Sequence, residues 1–250
     1  MIDAWFDYTS PLSMLTRHLL STKLGSSGTR IRWHPTDGGD EALDPVWFTQ
    51  AWDRSVRPLA ERLGVRVNAV PPRPTSARLA LQGYQYALDQ GLAEAYSDQV
   101  FHAYFVQRAD IGEPQALGMA AHRAGLDPER FRSAATSAHY AERHRAAVTQ
   151  SPPVRVTPTV MCGGYRIEGV PNDAQLAKLV AASATSRARV ASPRAAADRT
   201  GGTRSRKEGP VWCAAVGAVG AVDGDFPEFL GRGGRTLGKP VEQSGVCGAN

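Results

Sequence analysis

Ile2, Ala4, Phe6 and Tyr8 alternate with Asp3, Trp5 and Asp7 at the start of the chain, a two-residue period that predicts a strand with two distinct faces. Ser10 follows as an N-cap, and Pro11 suits the first helical position, where its fixed φ fits and its missing N–H is not needed. Leu12, Leu15 and Leu19 then recur at helical spacing, with Gly25 as the expected stop. After the polar turn Gly25-Ser26-Ser27-Gly28, alternation resumes over Thr29–His34 and predicts a second strand. Strand, helix and strand in so short a stretch make a βαβ unit, which requires parallel pairing and a right-handed crossover.

Residues 35–44 read as a loop. Asp44-Pro45 repeats the cap-plus-proline start, and a helix is expected to run to Leu63, bent at Pro58. Pro71, Pro72 and Pro74 force an extended connection, after which residues 75–150 are helical throughout, punctuated by Gly91, Gly112 and Gly125. Tyr84, Tyr86, Tyr96, Phe101, Tyr104 and Phe105 fall at helical spacing there, which favours a packed helical core over the lining of a substrate pocket. Strand character returns at Arg155–Cys162, turns at Gly163-Gly164 and comes back through Tyr165–Glu168. A last helix opens at Pro171-Asn172, with Leu176, Leu179 and Val180 facing inward.

The expected organisation is therefore a βαβ half over residues 1–63, a helical insertion over 64–150, a ββα half over 151–183 and a tail over 184–250. Residues 201–250 hold 12 of the 25 glycines and show no apolar period, so the tail is expected to be disordered. Residues 1–180 carry 19 Lys and Arg against 18 Asp and Glu, so most of the net +5 charge belongs to the tail. Nucleic-acid binding by the folded body is not indicated. No apolar run of about eighteen residues exists to span a membrane, and no basic segment precedes an apolar one at the N-terminus, so a cytoplasmic place is expected. Cys162, Cys213 and Cys247 have neither redox nor zinc-ligand spacing, and Cys162 reads as a small buried residue.

Ser10-Pro11-Leu12-Ser13 has the spacing of a Cys-Pro-x-Cys redox motif with both thiols replaced by hydroxyls. With Arg32-Trp33-His34-Pro35, Asp110-Ile111-Gly112, Ala124-Gly125-Leu126-Asp127, Val156-Thr157-Pro158-Thr159-Val160 and Gly164-Tyr165-Arg166-Ile167, it resembles the DsbA-like thioredoxin branch. That branch includes FrnE-type proteins, 2-hydroxychromene-2-carboxylate isomerases and kappa-class glutathione transferases, and the likeness covers about the first 180 residues. It implies an α/β thioredoxin fold with a helical insertion between the βαβ and ββα halves. It also implies that Pro158 is cis and faces the motif, and that Ser10 holds the thiol of a bound cofactor with Ser13 as a secondary contact. The backbone of Thr157-Pro158 would meet the cysteinyl part, and Asn172 lies near where relatives hold the γ-glutamyl end.

A helix N-terminus carries unpaired N–H groups and about half a positive charge, so it stabilises a thiolate; a serine hydroxyl cannot supply that anion but can donate to one. Two classes of function follow. In the first, glutathione or mycothiol is activated at Ser10 for isomerisation or transfer on a small electrophilic substrate. In the second, a redox-inactive, chaperone-like protein binds extended peptides in the groove beside Pro158. A family label of disulfide oxidoreductase is expected, although dithiol exchange requires two thiols at the motif. His34, at the end of the second strand, reads as an ordinary capped or solvent-facing histidine rather than a general base. His102, His122, His139 and His144 show no metal-ligand spacing, and a homodimer is left open.

Overall fold

A computed structural model describes residues 1–36, 49–68, 76–152 and 154–191, all within the first of the chain's two compact units, Met1–Gly202. The alternation at the N-terminus forms β1 (Ile2–Phe6), followed by α1 (Pro11–Leu24) and β2 (Ile31–Pro35). β1 and β2 pair in parallel from Ile2 opposite Ile31 to Phe6 opposite Pro35, as the βαβ unit requires. β3 (Thr159–Cys162) runs antiparallel to β1, and β4 (Tyr165–Glu168) antiparallel to β3, giving the order β2-β1-β3-β4. Gly163 and Gly164 join the last two strands with φ of +55° and +88°, the left-handed pair that a two-residue hairpin needs.

α1 ends at Leu24 with Gly25 as its C-cap, as expected, although Gly25 stays right-handed in a 3₁₀ turn, Gly25–Ser27, and Gly28 at φ 64° is the left-handed residue. Two local expectations are corrected. β3 begins at Thr159 rather than Arg155, because Pro158 has no N–H to offer a ladder. The bend assigned to Pro58 lies in the turn before it, a π-helical stretch Trp52–Val56 leading into α2 (Arg57–Leu63), with the Arg57 N–H donating to the Trp52 carbonyl. Pro58 cannot donate back to Arg54 and its ring crowds that carbonyl, and the wider turn relieves both. The expected start of that helix at Asp44-Pro45 and the extended prolines Pro71, Pro72 and Pro74 lie outside the described residues.

The insertion consists of α3 (Arg78–Asp89), α4 (Ala93–Phe105), α5 (Pro114–Arg123), α6 (Pro128–Ala135) and α7 (Ala138–Gln150). α5 and α6 open on a proline, and Asp127 caps α6 through the Arg130 N–H. Its aromatics form a core: Tyr84, Tyr96, Phe101, Tyr104 and Phe105 are buried, and Tyr86 packs half-buried against them. Phe6 of β1 sits at the junction, with edge-to-face contacts to Tyr8 at 5.1 Å, Tyr84 at 5.3 Å, Trp33 at 6.1 Å and Phe101 at 6.2 Å.

One buried charge ties α1 to the insertion. Arg17, 4% exposed, donates from Nε to Asp98 at 2.6 Å and from Nη2 to the Glu94 carbonyl at 2.8 Å, with its guanidinium 5.0 Å from the Trp33 ring centre. Arginine suits this place because its planar fork can bond two acceptors while stacking on an indole. α8 (Asp173–Ala191) closes the fold and runs past residue 183, the boundary read from its apolar period. Alanine and arginine favour helix without needing an apolar face, and Ser183, fully buried on α8, accepts from the Met1 ammonium at 3.2 Å. The expected disordered tail falls outside the described residues from 192 onward. No helix among the described residues is long and apolar enough to cross a membrane.

Candidate functional site

The connection from β1 to α1 is held by short-range hydrogen bonds. Asp7, 4% exposed, accepts at Oδ1 from the Thr9 N–H at 2.7 Å and the Thr9 hydroxyl at 2.9 Å, while its carbonyl accepts from the Ser10 N–H at 3.2 Å. An aspartate bonding two residues on is a turn device, and it sets where the helix begins. Ser13 is fully buried, and its Oγ accepts from the Asp7 N–H at 3.3 Å. Its hydroxyl therefore faces the turn, not solvent, and its contribution is to hold the turn in place. Asp7 and Thr9 were missed by the sequence reading, although the Asp-x-Thr spacing was a usable signal.

Ser10 is the N-cap, as expected: its Oγ accepts from the Ser13 N–H at 3.2 Å. The same hydroxyl donates across the fold to the carbonyl of Thr157 at 3.3 Å, and the Thr157–Pro158 peptide bond is cis. The structure thus brings Ser10, Thr157 and Pro158 together from positions 147 residues apart. At 3.3 Å the bond is long for an O–H donor, so it is weak and readily exchanged for a better acceptor. The Thr157 N–H has no acceptor among the described residues, while the Pro158 carbonyl accepts from the Gly169 N–H at 2.8 Å. Asn172 is exposed at the start of α8. Its Oδ1 accepts from the Gln175 N–H and the Gln175 Oε1 accepts from the Asn172 N–H, both at 2.9 Å, a capping box.

Tyr8, which precedes the motif, is fully buried and hydrogen-bonded to Ser97 at 2.9 Å, and burial drives its phenol pKa far above the usual value. Burial likewise pushes Tyr84 up to about 12, and its hydroxyl donates to the Trp33 carbonyl at 3.1 Å. His34 is half-buried. Its Nε2 bonds Asp3 at 2.9 Å and its ring stacks on Trp5 at 4.6 Å, so it acts as a cross-strand brace on one sheet face. Cys162, 4% exposed, donates from Sγ to the Met1 carbonyl at 3.3 Å, the buried place the sequence assigned it. No group of metal-ligating side chains occurs among the described residues. A surface cleft lined by Met119, His122, Arg123 and Arg132 includes none of the motif residues.

A mixed sheet in the order β2-β1-β3-β4, with a cis-proline facing the N-terminus of α1 and helices inserted between the halves, defines a thioredoxin-like fold of the DsbA type. The chain belongs to the DSBA-like thioredoxin domain family, whose model matches residues 1–181. It is 27% identical over 179 residues to the uncharacterized protein YwbO of Bacillus subtilis, covering 67% of this chain and 89% of that one. Among solved structures, a 2-hydroxychromene-2-carboxylate isomerase superposes with a TM-score of 0.65 at 21% identity, over 76% of this chain and 99% of that one. A cytosolic disulfide reductase from Pseudomonas aeruginosa with GSH gives 0.53 at 15% identity, over 76% and 98%. The fold is thus shared by isomerases and disulfide oxidoreductases.

The motif separates this chain from dithiol chemistry, because exchange proceeds through a thiolate attacking a disulfide and a second thiol resolving the product. Hydroxyls at Ser10 and Ser13 can do neither. The protein is expected to leave the reduction of insulin by dithiothreitol at its uncatalysed rate in a turbidity assay. Acceleration that disappears on changing Ser10 would contradict this.

Proposed function

We propose that this DsbA-like protein binds a low-molecular-weight thiol, glutathione or mycothiol, at the N-terminus of α1 and uses it on a small electrophilic substrate for isomerisation or transfer. The observation that carries the reading is the Ser10 hydroxyl, which caps α1 and donates to the Thr157 carbonyl through a long hydrogen bond of 3.3 Å. A thiolate brought to the helix N-terminus is a stronger acceptor than that carbonyl, so the hydroxyl turns to it while the helix dipole adds its charge. Thr157 then has a free carbonyl as well as its amide, the donor and acceptor that pair with a cysteinyl backbone. Asn172 keeps its side-chain NH₂ for the γ-glutamyl end, since only its Oδ1 and backbone N–H serve the cap. Bound there, the thiol supplies a nucleophilic sulfur that adds reversibly to an electrophilic carbon. Ser13 acts through the turn that aims Ser10. The glutathione described with the Pseudomonas aeruginosa reductase supports a cofactor of this class.

The second reading, a redox-inactive peptide binder, draws on the same unpaired Thr157 amide, which an extended peptide would also engage. Titration with each thiol, followed by the ultraviolet absorbance of the thiolate, separates the two. Binding with a depressed thiol pKa is expected. If both thiols fail to bind at millimolar concentration, or bind with an unshifted pKa, while an unrelated extended peptide binds, the peptide reading replaces this one.

A further inference from the structure

Resting on the thiol reading of the Ser10 site, we propose that Arg155 reads the terminal carboxylate of the bound thiol and so selects a peptidic thiol ending in a free carboxylate, of the glutathione type, over a sugar-linked thiol that has none. Three observations lead there. First, burial alternates along the approach to the cis bond: Arg155 is exposed, Val156 is 8% exposed and Thr157 is half-buried. Arg155 and Thr157 are thus both at least partly open to solvent on either side of the buried Val156, where the chain bends into the cis bond. Second, Thr157 presents its unpaired N–H beside the carbonyl that Ser10 holds loosely, which fixes where a cysteinyl residue pairs. Third, Arg155 is engaged in no ion pair among the described residues, in contrast to Arg166 on β4, which pairs with Glu168 at 2.8 Å.

The direction of the ligand connects these observations. A cysteinyl backbone that exchanges both hydrogen bonds with Thr157 runs antiparallel to it. Its next residue then heads back along the chain toward Arg155, and the carboxylate that ends it comes within reach of that guanidinium. The γ-glutamyl arm leaves the other way, past the cis-proline. A guanidinium can meet a carboxylate with two parallel N–H···O bonds, and an uncharged sugar gives it nothing of that strength.

The test is a cycle on both partners. Wild type, Arg155→Gln and Ser10→Ala are each titrated with glutathione and with glutathione whose glycine carboxylate is an amide. Because Arg155 is exposed, the carboxylate is expected to improve wild-type binding by about fivefold at low salt, less as salt rises. In Arg155→Gln that preference is expected to vanish, with the amide bound as in wild type. In Ser10→Ala both ligands are expected to weaken while the preference remains. Equal binding of the two ligands by wild type, or a preference that survives in Arg155→Gln, overturns the role of Arg155 while leaving the Ser10 site standing. Failure of wild type to bind either ligand overturns both.

Discussion

Ser10→Ala is expected to weaken binding of the thiol about tenfold or more while leaving the fold intact. A hydrogen bond to a charged group contributes about 1.5–3 kcal/mol, and at about 1.4 kcal/mol per tenfold the loss is one to two orders of magnitude. The competing effect is loss of the helix cap, which costs about 0.5–2 kcal/mol of stability. Here the lower end applies, because the Ser13 N–H that Ser10 caps also donates to the Ser10 carbonyl at 3.1 Å and keeps that partner in the variant. The two roles of Ser10 therefore move different observables. A cap alone would lower the denaturation midpoint and leave thiol affinity unchanged; a thiolate ligand changes affinity and the pKa of the bound thiol. Calorimetric titration beside a denaturant melt distinguishes them, and an unchanged affinity with a lowered midpoint would reduce Ser10 to a cap.

Phe6→Ala is expected to be the costliest single change discussed here, about 3–5 kcal/mol of stability, the range for removing a buried phenyl ring from a core. Phe6 is 2% exposed and meets rings from β1's own extension (Tyr8), β2 (Trp33), α3 (Tyr84) and α4 (Phe101). Three of those partners come from separate elements and the fourth from the chain just after Phe6, so they cannot all move inward at once, and most of the ring's volume stays as a cavity. With total stabilities of about 5–15 kcal/mol, the variant sits near the edge of folding. Urea denaturation measures it: a lowered midpoint at constant slope is expected. A loss below about 1 kcal/mol would mean that the sheet and the helical insertion do not share one core.

Several parts of this molecule were legible because they depend on neighbours in sequence. A cap, a proline at the first helical position, a Gly-Gly turn and a two-residue period each act within a few residues. Ser10, Pro11, the hairpin at Gly163-Gly164 and the order of strands and helices followed from them. Where local rules competed they gave less: Gly25 was a plausible stop, yet three more residues kept turning right-handed before Gly28 ended the turn. The helical spacing of the insertion's aromatics favoured a core over a pocket lining, and their burial agrees with that. His34 read as an ordinary capped or solvent-facing histidine, but which group holds it was not legible, since its partners Asp3 and Trp5 lie across a strand pair rather than along the chain.

By itself the sequence determined the α/β succession, the hydroxyl-bearing motif at the head of α1 and the absence of a thiol pair there, all consequences of residue type and short-range geometry. Only the tertiary structure decided which hydroxyl faces outward. Ser10 and Ser13 are three residues apart on one helix, but packing sends Ser13 into the β1 turn and turns Ser10 toward a carbonyl 147 residues away. It likewise decided that Arg17 is spent on Asp98 and Glu94 as a tie to the insertion, while Arg155 remains exposed beside the cis-proline. Charge and hydrogen-bonding capacity belong to the residue and can be read from its name. Whether they are consumed inside the fold or kept for a ligand depends on what the folded chain brings within about 3 Å, which no local rule specifies.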